Sequence, residues 1–205
     1  QGKYKEAVDY NYKALNYYLS KNDEVQYATV LSNLCLLHLN NNYPDSAYLY
    51  GLRAMDLFRK NNKQSEMANS ILSLAEKKKK KNDLKNSRAK AKEALDIYTN
   101  IPIVQGQLNS HFVLGTIDHK EMHYDSAIIH FNTALDLLKN FILPEMNRDC
   151  YLYLSKCYKA LNKTEKAYDN HLNYSAYNDS VSDQRLKAKT LEMDVKFSIT
   201  KKENE

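Results

Sequence analysis

Tryptophan is absent from this 205-residue chain, which has only four glycines and three prolines. So few breakers leave little room for tight turns or strand-rich folds, and four scattered glycines leave little room for a phosphate-cradling loop. Three cysteines, Cys35, Cys150 and Cys157, show no CxxC spacing and no even count, which removes both a disulfide framework and a zinc ribbon. Cys150 and Cys157 are seven residues apart on one expected helix, about 10 Å along its axis, too far to bridge. All three read as free thiols. No apolar run reaches the roughly 18–20 residues that span a bilayer. Charge is moderate as well: 30 basic against 25 acidic residues give a net +5, part of it in the single run Lys77–Lys81.

What remains is a charged, Tyr-rich, helix-forming composition with a strict internal period. Ala7, Ala47, Ser87, Ala127 and Ala167 are spaced 40 residues apart. Ala14, Ala54, Ala94 and Ala134 follow them at seven residues, with Tyr174 in the fifth place. Leu34, Leu74, Leu114 and Leu154 keep the same period, each followed by a small residue: Cys35, Ala75, Gly115 and Ser155. A sustained period of this length marks a repeat array in which each unit buries its apolar face against its neighbours. Small residues at fixed positions let helix axes approach to about 8–10 Å.

Within a unit, apolar residues recur at helical spacing in two blocks. Leu108, Phe112, Leu114 and Ile117 form the first; Tyr124, Ala127, Ile128, Phe131, Ala134 and Leu138 form the second. Helices are expected over 24–40 with 44–61, 64–81 with 83–99, 104–120 with 124–140, and 145–161 with 164–177, preceded by a lone second helix over 4–21. Pro44 and Pro144 suit helix starts, where a missing N–H is harmless.

Leu114-Gly115, Tyr124, Ala127, Phe131 and Ala134 resemble the tetratricopeptide repeat, whose pattern runs L-G…Y-x-x-A-x-x-x-F-x-x-A. The resemblance extends over residues 1–178. It implies an all-α, right-handed superhelical solenoid of helix-turn-helix repeats. The units are longer than the usual one of about 34 residues by nearly one turn per helix. Domains are expected as the array at 1–178 (partial repeat 1–21, then 24–61, 64–99, 104–140 and 145–177) and a C-terminal capping or signalling helix at 179–205.

Such arrays present surface to partners, and the first helices line the concave face. Carrying the family's groove positions over gives Asn33, Asn69, Leu72, Asn109, Phe112, Thr116, Tyr153 and Lys156 as candidates to hold a peptide or protein segment. Asparagine is suited to this because it both donates to and accepts from a peptide backbone. The chaperone-type carboxylate clamp is missing: Ser32 and Leu36 stand where it needs Lys and Asn. The lysine run reads as a solvated helix end favoured by the dipole, with anion binding as its alternative. Nucleic acid is not expected, because no aromatic platform interleaves with a basic stripe. Asp118, His119 and His123 lack a third metal ligand, since His123 falls in a turn, and His111 stands at an apolar repeat position as a packed histidine. No catalytic constellation and no cofactor are expected.

The tail carries a second resemblance. Tyr177-Asn178-Asp179-Ser180-Val181, Lys187-Ala188-Lys189, Leu191 through Phe197 and Lys201-Lys202-Glu203 are similar to a segment that follows such repeats in Gram-negative membrane-tethered regulators. There it leads into a membrane span and a histidine kinase or helix-turn-helix output domain. This implies the sensory region of a bacterial signal-transduction or transcription regulator, on the periplasmic face, with the span downstream of residue 205. A cytoplasmic peptide receptor or assembly scaffold is the alternative. Two apolar stripes, Leu186/Met193/Phe197 and Leu191/Val195/Ile199, call for two partners: the last repeat, and the same helix of a second chain as a homodimer.

Overall fold

The structure is a computed structural model that describes the backbone of residues 2–139, 141 and 143–203, with side chains described for 3–139, 141, 143–187 and 189. Among these residues the fold is all α. In chain order the helices are α1 (Gly2–Ser20), α2 (Glu24–Asn40), α3 (Pro44–Lys60), α4 (Gln64–Lys80), α5 (Leu84–Asn100), α6 (Val104–Lys120), α7 (Tyr124–Leu138), α8 (Pro144–Ala160) and α9 (Thr164–Glu203).

From α2 to α6 each helix has 17 residues and each connection three, so two helices and two turns make the 40-residue period. The connections are closed by one device. The third turn residue donates its N–H to the carbonyl five residues back, as Asp23 does to Tyr18 (3.1 Å), Lys63 to Phe58 (2.9 Å) and His123 to Asp118 (2.9 Å). The middle residue sits in the left-handed region: Asn22, Asn42, Asn62, Asn82, Met122 and Asn162 have φ between 54° and 62°. This is the Schellman closure, and asparagine is the side chain best able to replace glycine there. Pro102 stands at the same position between α5 and α6 and brings no N–H. Its turn lacks the middle residue's bond and keeps the flanking ones, Ile101 N–H to the Ile97 carbonyl at 3.1 Å and Ile103 N–H to the Tyr98 carbonyl at 3.0 Å. Asp23 and Asp83 cap α2 and α5 through Gln26 and Asn86 N–H, and Pro44 and Pro144 open α3 and α8 as expected.

The chain packs as two compact units, residues 1–130 and 131–205. In the first unit α1 to α6 each pack on the next, and among the first helices α4 also touches both α2 and α6. The periodic small residues sit in this core: Ala47, Ala54, Ala75, Ser87 and Ala94 are fully buried and Cys35 nearly so. In the second unit α8 packs against α9, and Phe131, Ala134, Cys150, Leu154 and Val181 are buried. All three cysteines are free and buried. Burial pushes the Cys35 thiol up to about 11 and the Cys150 thiol to about 12.

α9 passes through position 178 without a break. It is one 40-residue helix from the last repeat through the tail, because nothing between Thr164 and Glu203 is a glycine or proline. Val181 is buried, whereas Leu186, expected to cap the last repeat, is 66% exposed. The side chains of Met193, Phe197, Leu191, Val195 and Ile199 lie outside the described residues.

Candidate functional site

Of the eight residues expected to meet a ligand, six lie on α2, α4 and α6 of unit one, and the structure separates them by burial. Asn33 and Asn69 are exposed, and Asn109 and Phe112 are half-buried, on α2, α4 and α6 respectively. Leu36, one turn from Asn33, is 48% exposed. The Asn69 carbonyl oxygen accepts from the Tyr98 hydroxyl at 2.6 Å, and that of Asn109 accepts from Gln105 at 3.3 Å. These bonds fix both amides with their NH2 groups as the ends left to meet a ligand.

Leu72 and Thr116, expected on the same face, are buried instead. Leu72 belongs to the core shared by α3, α4, α5 and α6. Thr116 donates to the Val113 carbonyl at 2.8 Å and accepts from Lys79 at 2.9 Å. In the second unit, Tyr153 stacks on Phe131 (centroids 5.1 Å, 13° between planes), and Lys156 Nζ lies 5.4 Å from the Tyr153 centroid.

The lysine run departs most from its sequence reading. Lys77 is buried, with its ammonium 3.7 Å from the Tyr48 ring centroid, and burial lowers its pKa. Lys78 pairs with Asp83 at 3.3 Å, Lys79 with Glu76 and Thr116, and Lys81 with Asp45. Lys80 donates to the Leu39 carbonyl at 3.0 Å, and Lys120, one repeat later, to the Lys79 carbonyl at 3.4 Å. Each thus caps the C-terminal end of the preceding first helix, where the dipole is negative. The run ties repeats together rather than forming a solvated patch.

A polar network that the sequence reading did not assemble lies among α5, α6 and α7. His111 Nδ1 and His130 Nδ1 are 3.0 Å apart. His130 Nε2 is 3.6 Å from Asp118 Oδ2, a buried oxygen with no hydrogen bond of its own. Asp118 Oδ1 takes Arg88 Nη2 at 2.6 Å, and the same nitrogen meets Glu121 Oε2 at 2.5 Å. Burial pulls both imidazoles below the ordinary range. The neighbouring His130 adds to this for His111; for His130, Arg88 and Lys92 add to it and Asp118 opposes it. Asp118, Glu121 and His123 have ligand-type atoms within 4.8 Å of one another, but Arg88 sits on both carboxylates as their cation. The signal lay in the period: His111 is 40 residues from Ile71 and 80 from Leu31, both fully buried.

Paired antiparallel helices, the Schellman turns and the small-residue contacts define a helical-repeat protein of tetratricopeptide type. The chain shares this fold with BtubC from P. vanneervenii (TM-score 0.77, 19% identity, 88% of this chain and 75% of that one). It is also similar to aspartyl phosphate phosphatase F from Bacillus subtilis (TM-score 0.78, 14% identity, 86% and 46%). A third similar structure is a signal transduction ATPase with numerous domains, bearing a tetratricopeptide repeat sensor, from Pyrococcus horikoshii (TM-score 0.68, 18% identity, 80% and 25%). The sequence itself matches no protein-family model and no curated protein.

Proposed function

We infer that this chain is a non-catalytic binding module that holds a peptide or protein segment across the face formed by α2, α4 and α6. The observation that carries this reading is the recurrence of amides at one register, Asn33 and Asn69 exposed and Asn109 half-buried, together with Leu36 and Phe112, on α2, α4 and α6, of which α4 touches both others. Amides match a peptide backbone in both donor and acceptor sense, and the two apolar side chains suit uncharged side chains of the guest. No cofactor enters this function, and nucleic acid is not its partner.

The finer reading is the sensory region of a bacterial membrane-tethered regulator. The tail's likeness to such regulators supports it, as does a solved neighbour described as a signal transduction ATPase with a repeat sensor. An unbroken α9 would carry a displacement of the last repeat along 40 residues toward whatever follows. In this reading the module lies on the periplasmic face, pairs with a second chain through the C-terminal helix, and precedes a membrane span. No described helix of residues 1–205 is itself long and apolar enough to cross a membrane. A cytoplasmic receptor or scaffold would use the same binding face.

Selection from a displayed library of random peptides tests the binding reading. Peptides recovered by the native protein should be lost by Asn109→Ala/Phe112→Ala and retained by Lys92→Ala on the exposed side of α5. Equal recovery by all three proteins would move the interface off this face.

A further inference from the structure

The geometry points to a divalent transition-metal site formed by His111 and His130, with Asp118 behind it as the group that orients His130. The repeat supplies an internal comparison. Residues 31, 71 and 111 are equivalent by the period, as are 50, 90 and 130, so the first two repeats carry Leu31 and Tyr50, then Ile71 and Lys90, at these positions. Leu31 and Ile71 are fully buried and apolar. Only in the third repeat does an imidazole take this place, facing a second imidazole and a carboxylate that is 98% buried.

Two neutral imidazoles that bring Nδ1 to within 3.0 Å of each other require a Lewis acid between their lone pairs, either a proton on one of them or a metal ion held by both. With metal–nitrogen bonds of about 2.0–2.1 Å, this separation closes an N–metal–N angle of about 91–97°. That is the cis angle of square-planar and octahedral ions and is well below the tetrahedral one, so Cu2+ and Ni2+ fit better than Zn2+. His130 is then bound through Nδ1 and turns Nε2–H toward Asp118 Oδ2. This matches the carboxylate–histidine–metal arrangement that fixes tautomer and ring orientation. The orphaned oxygen, 3.6 Å from Nε2, is then the carboxylate group toward which this N–H points. Arg88 is neutralised by Asp118 and Glu121, and Lys92 on α5 is exposed. Both histidines are half-buried, which leaves the remaining coordination positions to water.

The test uses the untagged chain at neutral pH, titrated with Cu2+, Ni2+ and Zn2+ by calorimetry, with electron paramagnetic resonance of the copper form. One Cu2+ per chain should bind, its spectrum showing two nitrogen ligands, with Zn2+ weaker. His111→Leu restores the residue type of position 31, so it should fold; it should lower Cu2+ affinity at least about tenfold and remove one nitrogen. Asp118→Asn should weaken binding by about 10–100-fold. His123→Ala should leave the copper signal unchanged. Three results would overturn the site: native binding by His111→Leu, loss of binding only in His123→Ala, or no copper uptake by a native chain whose imidazoles still titrate together. The second assigns the ion to the Asp118–Glu121–His123 cluster, and the third leaves a shared proton only.

Discussion

The Ser87 hydroxyl donates to the Ala75 carbonyl at 2.7 Å across the contact between α4 and α5, and two repeats later Ser155 donates to the Ala167 carbonyl at 2.8 Å. In the first pair the serine is on the second helix; in the second it is on the first. The small-residue position therefore serves two purposes. It permits close approach, and it lets the only polar side chain small enough to fit there bond across the gap. Ser87→Ala should cost about 1 kcal/mol, the net worth of one such bond. Ser87→Leu, like Ala134→Leu at a fully buried site, should cost about 1–3 kcal/mol through overpacking. Urea unfolding of the variants would check the order, and a tolerated leucine at either position would contradict the close crossing.

Gly106 is needed by its neighbour. A Cβ there would lie 2.2 Å from the Tyr98 ring, which is fully buried and anchored by its hydroxyl to Asn69. Gly106→Ala is expected to lose about 3 kcal/mol or more, because a buried ring pinned at its far end has nowhere to go. Adding Tyr98→Leu, the residue type at position 138, should recover part of that loss.

Met122 holds a left-handed conformation that five other turns give to asparagine. It is 73% exposed, so no packing is at stake. Met122→Gly should raise stability by about 0.5–1 kcal/mol, seen as a higher Tm. An unchanged or lower Tm would mean that the turn tolerates methionine without strain.

The lysines should differ sharply although they are adjacent. Lys79→Ala removes a half-buried ammonium bonded to Thr116 and Glu76 and should cost about 1 kcal/mol. Lys81→Ala, on an exposed pair, should change stability by less than about 0.5 kcal/mol. Equal effects in chemical denaturation would return the run to a uniformly solvated surface.

His38, His111 and His130 all have pKa values held below the ordinary imidazole value of 6.5, chiefly by burial. The unfolded chain then binds more protons than the folded one as pH drops below 6.5. Stability is full above that value and declines as the solution is acidified toward the folded-state values. In the presence of a chelator, the slope of Tm against pH between about 6.5 and 5 should be smaller in His111→Leu than in the native chain. A native slope in that variant would assign the acid sensitivity elsewhere.

Much of this was readable along the chain. The 40-residue period placed the helix starts, and the ends of α1 to α8, to within a residue or two, since Asn at the turn and Ala at the crossing act locally or between neighbours with identical geometry. Asn33, Asn69, Asn109 and Phe112 were chosen by repeat register, and the first two are exposed and the last two half-buried. The same rule failed for Leu72 and Thr116, where it assigned exposure to residues that the adjoining repeat covers. It also failed for the lysine run, because a charged stem's destination depends on which carbonyl or ring lies across the groove.

The order and length of the helices, the character of the turns and the small-residue contacts were therefore decided by sequence alone, because each depends on residues in fixed local register. Tertiary structure alone decided that His111 meets His130 and Asp118 and that Tyr98 fills the space above Gly106. Those relations depend on how long side chains from different helices share a small volume, and no period in the sequence encodes that.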